Sequence, residues 1–258
     1  MTEKERFDEI LGELGELTLH LERYGFQVLL IGGQVLAMES IQRGGTGVIA
    51  IETDTGTVVE RGFSFESDLL IDINGNGGMD NELPTILAQR GYAKRNRTFR
   101  WSKDLPGGPM DFDLFAPIED VEPLTLPTTM TLLPDARLAL RRKRRLELTI
   151  EGKSVGIHLP DATGFLAMKE RAKRQHRPDA TKDSFDMFAY VKLVGSETVR
   201  ASLRQAGEEG RALRNRLLTL FWNASAPGPQ DVINFATSLE LDEKELLAQA
   251  AVDLFAEL

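Results

Sequence analysis

Apolar positions recur at helical spacing over residues 4–24, where Phe7, Ile10, Leu11, Leu14, Leu17 and Leu19, with Leu21 following, predict an amphipathic helix. Gly25 ends it. FQVLLIGG then reads as a short apolar strand closing on Gly32 and Gly33, followed by a helix from Gln34 to about Ile41. Over 47–61 apolar residues alternate on both sides of Asp54-Thr55-Gly56, the pattern of a hairpin. It leads into a strand, GFSFESDLLID (62–72), and a turn, NGNGGMD (74–80). A short helix is predicted from about Pro84 to Gly91. The strand YAKRNRTFRW (92–101) follows, broken by Pro106-Gly107-Gly108-Pro109, and MDFDLFAP (110–117) alternates again. Beyond a Pro- and Thr-rich link (117–134), residues 146–150 and 155–159 pair around Glu151-Gly152. Asp161 and Thr163 offer N-caps to one helix, Asp179 and Thr181 to the next. Helices continue from Ser196 to Leu258, broken near 226–229 and 240–241. Strands thus gather early and helices late. The pattern predicts an α+β chain with a core over 1–135 and, over 136–258, a mainly helical domain carrying a basic stretch and a hairpin.

Composition changes this picture in two places. The 258 residues contain no cysteine, which excludes disulfides, thiolate metal sites and cysteine nucleophiles. His20, His158 and His176 have no spacing suited to zinc. No apolar run approaches the ~20 residues needed to span a bilayer, and the acidic start is no signal peptide, so a cytoplasmic protein with no membrane partner is expected. The net charge of −9 conceals an asymmetry: residues 137–182 carry 13 Lys+Arg against 5 Asp+Glu, leaving 18 against 35 elsewhere. A basic middle in an acidic chain is a candidate seat for phosphate or RNA, or a solvated helix face.

Candidate chemistry lies in two acidic strands. Glu66 and Asp68 sit two residues apart, so in a strand they share a face about 6.6 Å apart. Asp111 and Asp113 repeat the arrangement. Same-face carboxylates repel one another unless positive charge lies between them, and a divalent metal is the natural candidate. The alternative is an exposed edge-strand face.

The order IGGQVLAM, GFSFESDL, MDFDLFAP, LPDATGFLAMKERA, RPDATKDSFDMF resembles the AbiEii-type nucleotidyltransferases. These are type IV toxin–antitoxin relatives within the DNA polymerase β superfamily, and the likeness covers residues 26–190. It implies a nucleotidyltransferase core of a mixed β-sheet flanked by helices, followed by a helical C-terminal region. Gly32 and Gly33 match the phosphate-facing turn, and Ser64 the family's serine. Glu66 and Asp68 match the metal-binding pair, and Asp113 the third carboxylate, for which Asp111 is a substitute on the same face. Lys169 matches the lysine that meets the triphosphate, and Asp183 and Asp186 the acids of the closing helix. Arg171, Lys173, Arg174 and Arg177 extend the positive charge toward a polyanionic acceptor. The chain departs from the family in having Glu66 where Asp is usual, Ser67 where an aliphatic is usual, and a longer hairpin at 47–61.

The resemblance therefore implies a magnesium-dependent enzyme, with two ions and a nucleoside triphosphate as substrate. It would be a toxin or phage-defence protein with an antitoxin partner, modifying RNA (a tRNA end among the options) or a protein hydroxyl. Two other readings stand beside it. One is a nucleotide-binding or partner-binding module in which the departures have ended catalysis; the other is a small-molecule nucleotidyltransferase acting on an antibiotic.

Overall fold

The computed structural model describes residues 1–53, 56–72, 82–95, 99–117, 130–134, 136–150 and 152–258. The predicted turn at 74–80, Asp54-Thr55, most of the 117–134 link and Glu151 lie outside them. The elements run α1 (Glu3–Arg23), β1 (Val28–Ile31), α2 (Gln34–Gln42), β2 (Ile49–Glu52), β3 (Val58–Gly62), β4 (Ser67–Ile71) and α3 (Leu83–Gln89). Then come β5 (Ala93–Lys94), β6 (Arg100–Leu105), β7 (Gly108–Pro117), β8 (Thr131–Leu133), α4 (Ala136–Arg141), β9 (Lys143–Ile150) and β10 (Lys153–Pro160). The rest is helical: α5 (Ala162–Arg171), a π-helical turn (Ala172–His176), α6 (Thr181–Val194), α7 (Ser196–Gln205), α8 (Gly207–Leu220), α9 (Pro227–Phe235) and α10 (Leu241–Ala256). This is the expected architecture, a mixed sheet flanked by helices and then a helical region.

The division into compact units differs from 1–135 and 136–258. One unit comprises 1–46 and 63–160, the other 47–62 and 161–258. The two hairpins exchange places relative to expectation. The β9–β10 hairpin belongs with the sheet because it packs on α1 and β1, while β2 packs on α6. Gly15 permits the first contact: a Cβ there would lie 2.0 Å from a Val155 methyl, so only glycine lets α1 approach β10 this closely.

In the first unit the sheet order is β1-β4-β7-β6-β5, with β8 alongside the end of β7. β4 and β7 are parallel, whereas β1–β4, β6–β7 and β5–β6 are antiparallel. The capping box of Thr2 and Glu5 starts α1. Phe7, Ile10, Leu11, Leu14, Leu17 and Leu21 are buried along its inner face, each worth roughly 1.5–3 kcal/mol. Leu19, counted on that face from sequence, is instead exposed, being two residues from both Leu17 and Leu21 and so on the far side of the helix. β6 ends at Leu105, and Pro106-Gly107 joins it to β7 as a tight hairpin, with Leu105 opposite Gly108.

In the second unit, Asp161 caps α5 by accepting from the Gly164 N–H at 2.9 Å. Neither Asp179 nor Thr181 caps α6, whose N-cap is Ala180. Stacked ring pairs Phe165–Tyr190 and Phe185–Phe235 tie α5, α6 and α9 together, and Phe221–Phe255 ties the residue capping α8 to α10.

Candidate active site

The register of the first unit's sheet places Ile31, Asp68, Asp113 and Arg100 opposite one another on four neighbouring strands. Residues directly opposite across paired strands point to the same face, so both carboxylates and the guanidinium share one rung. Ile31 leads into the glycine turn, where Gly32 has φ +73° and a Cβ would come within 2.0 Å of Asp68 Oδ2. The Asp68 carboxylate thus lies in a notch that a side chain would fill. Gly33 caps α2 without a side-chain bond, so backbone N–H groups of the turn lie at this same end of the sheet. Gln34 donates from Nε2 to the Ser64 carbonyl at 3.0 Å, and Phe63 and Phe65 pack with Phe7. These contacts hold the segment carrying Ser64 and Glu66 beside the turn.

Arg100 dominates the electrostatics of the rung. Its Nε and Nη2 donate to the two oxygens of Asp113 at 2.7 and 2.9 Å, and Nη1 lies 3.4 Å from Glu66 Oε1. The hydrogen bonds to Asp113, reinforced by the charges of Asp113, Glu66 and Asp111, hold the guanidinium's pKa well above its ordinary value. Glu66 is 71% exposed and stands just before β4, within reach of Asp113 only through Arg100. Asp113, not Asp111, is the residue opposite Asp68; Asp111 faces Ser102 and keeps a buried oxygen without a hydrogen bond. Ser67 is buried on the opposite face with Phe112 and Trp101.

This arrangement tests the expected magnesium set of Glu66, Asp68 and Asp113. The donors are hard oxygens of the right kind. However, both oxygens of Asp113 are taken by Arg100, and among the described residues no group of three His, Cys, Asp or Glu could hold a metal ion. As arranged, the three residues are not grouped around a resident divalent cation, because Arg100 holds both oxygens of Asp113.

Lys169, Asp183 and Asp186 do come together, within the second unit. Lys169 Nζ lies 3.1 Å from Asp183 and 2.5 Å from Asp186, and Arg61 Nε is 3.2 Å from the other oxygen of Asp186. Lys169 is only 8% exposed and Asp186 wholly buried. Burial acts to lower the lysine's pKa, but the charges of Asp186 and Asp183 outweigh it and raise it above the ordinary value. Arg177 adds a contact to Asp183 from the rim at 3.1 Å. The ammonium is therefore satisfied by protein carboxylates, an arrangement expected of a structural ion cluster.

Arg100 and Arg61 escaped sequence reasoning. Arg100 had a signal: a two-residue Pro106-Gly107 loop sets Leu105 opposite Gly108, and counting back pairs Arg100 with Asp113. Arg61 had none. The basic run is also largely paired inside the first unit. Arg137 reaches Asp72 at 3.2 Å, Arg145 reaches Glu147 at 2.6 Å, Arg144 meets the buried Glu39, and Lys143 meets Gln27.

No protein-family model matches the chain, and no curated protein does. Among solved structures it is similar to that of an antigenic nucleotidyltransferase-like protein from Paracoccidioides brasiliensis, at 15% identity and a TM-score of 0.43, covering 80% of this chain and 92% of that one. At that identity and score the likeness decides nothing about the residues above. Among the described residues no helix is long and apolar enough to cross a membrane.

Proposed function

We propose that the chain binds a nucleoside triphosphate at the glycine-turn end of the first unit's sheet and transfers its nucleotidyl group to a hydroxyl on RNA or protein. The observation that supports this reading is the rung of Asp68, Asp113 and Arg100 beside Gly32-Gly33. The turn's N–H groups offer a place for phosphate. Three carboxylates against one guanidinium leave the site net negative, so the nucleotide would enter as its magnesium complex, the cation arriving as part of the substrate. Arg100 offsets the charge of Asp113 and Glu66 where the polyanion must approach. Asp68, at the notch, is placed to take the proton of the acceptor hydroxyl. That oxygen then forms a bond to the α-phosphorus in line as the bond to the β-phosphate oxygen breaks and pyrophosphate leaves.

A second reading, nucleotide binding without turnover, is favoured by the two-point hold of Arg100 on Asp113. The two separate in one experiment. The protein is incubated with each labelled nucleoside triphosphate, magnesium and total cell extract, and label is followed into RNA, protein and small molecules. Transfer that disappears in folded Asp68→Asn supports the first reading; saturable binding with no transfer supports the second. Unchanged transfer by Asp68→Asn would remove this sheet end from the chemistry.

A further inference from the structure

The second unit contains a cavity of about 650 Å³ formed by the end of α5, the π-helical turn, α8 and the segment entering α9. Glu170, 2% exposed, divides its carboxylate between two arginines: Oε1 accepts from Arg174 Nε at 2.7 Å, and Oε2 from Arg216 Nε at 2.9 Å. Each guanidinium is thus gripped at its inner nitrogen. The terminal nitrogens of both make no hydrogen bond to any described residue. One carboxylate against two guanidiniums leaves a positive charge uncompensated at the cavity. Lys173 does not contribute to that excess, because its ammonium is held by Asp231 at 2.6 Å and by the Pro178 carbonyl.

The rest of the lining has a different character. Trp222 is 68% exposed, and Leu220, Pro178 and Pro227 add apolar surface around it. An indole left in water beside two oriented guanidinium forks is a combination that selects a ligand with a flat aromatic part and an anionic part. The forks match phosphate oxygens in pairs, and they are pre-oriented by a buried carboxylate, so little entropy is lost on binding. The volume lies within the ~300–1,000 Å³ range of small-ligand sites, enough for a base and sugar together. The π-helical turn that carries Arg174 departs from regular helix geometry, as helices often do at functional positions.

We propose that this cavity binds a nucleoside phosphate, with the base stacked on Trp222 and the phosphate across the ends of Arg174 and Arg216. The ligand is either a free nucleotide or the phosphorylated end of a single-stranded RNA, which present the same chemistry. The proposal does not rest on the reading of the sheet end, since Asp68→Asn leaves this cavity intact and the two can fail separately.

Calorimetric titration of the full chain tests it, using adenosine, guanosine, cytidine and uridine monophosphates, the matching nucleosides, ribose 5-phosphate and a 5′-phosphorylated oligoribonucleotide. At least one monophosphate should bind saturably and quench Trp222 fluorescence, over a constant background from the buried Trp101. Its nucleoside and ribose 5-phosphate should bind about tenfold more weakly or worse. Trp222→Ala, at an exposed position, should weaken binding by about tenfold or more without moving the melting curve. Arg216→Ala should weaken binding by as much but also lower the melting temperature, because it leaves one oxygen of the buried Glu170 unpaired. Tighter binding of the oligoribonucleotide than of the monophosphate assigns the site to a nucleic-acid end, the reverse to a free nucleotide, and both support it. Absence of saturable binding by every monophosphate and by the oligoribonucleotide would overturn it, as would binding unchanged in the folded Trp222→Ala and Arg216→Ala variants.

Discussion

Two clusters in this chain look alike on paper: carboxylates set against one or two cations. In the first unit Asp113 and Glu66 meet Arg100 at the end of a sheet, and in the second Asp183 and Asp186 meet Lys169 inside a helical core. They differ in access to water. In the first, Asp113 is buried but Glu66 is mostly exposed and Arg100 partly so, whereas Lys169, Asp183 and Asp186 are all buried. An ion pair at a surface can exchange partners at small cost, because water takes up whatever charge is released. A sealed pair cannot, because each ion left behind is stranded without solvent. The same residue types therefore make a candidate site in one place and a structural cluster in the other.

The sharpest way to break this contrast is Lys169→Ala. It leaves Asp183 and Asp186 short of a buried counter-charge and should cost about 3–5 kcal/mol in a urea melt. A loss below about 0.5 kcal/mol, the size of an ordinary surface change, would return Lys169 to solvent and to ligand contact. Arg100→Ala should cost less, about 1–3 kcal/mol, since it leaves a single buried carboxylate, Asp113, without its two hydrogen bonds. By freeing both oxygens of Asp113, it should also make the melting temperature rise on adding manganese, more than in the native protein. Equal rises in the two proteins would show that Arg100 does not exclude the cation. Gly32→Ala should cost about 1–2 kcal/mol from its left-handed backbone alone. It should also weaken nucleotide binding by displacing Asp68, and an unchanged titration would detach the notch from the site.

The smallest effect is in pH. The folded pKa of Lys169 is raised, so the stabilisation it brings is fully present below the ordinary lysine value of 10.5 and is lost as pH rises through the higher folded value. The stability difference between native protein and Lys169→Ala should accordingly stay level from neutral pH to about that point and shrink only beyond it. A shrinkage already complete by pH 9 would mean that burial, not the two aspartates, governs the lysine.

Much of the fold was legible because it is written in local periodicity. The spacing of Phe7 to Leu21 specifies α1, and the alternation around Asp111 and Asp113 specifies β7. Gly32-Gly33 between an apolar run and a helix specifies the turn that now sits against Asp68. Pairing Asp68 with Asp113 required the two acidic strands to be neighbours, which their alternation suggests but cannot fix, since strand order is set by the crossover between them.

What only the tertiary structure decided concerns partners. Sequence pattern gives each side chain its face but not what the face meets. The RRKRR run reads as a basic surface, yet Arg144 finds Glu39 on α2 and Arg145 finds Glu147 across two residues of its own strand. By resemblance Lys169 matches a lysine that meets a triphosphate, yet α6 brings two aspartates against it, and β3 brings Arg61 near one of them. The hairpins at 47–62 and 143–160 carry no local mark of the unit they join, because that depends on which buried faces remain to be covered. Charge on a sequence is a count, and its effect depends on distance and on access to water, which exist only in three dimensions.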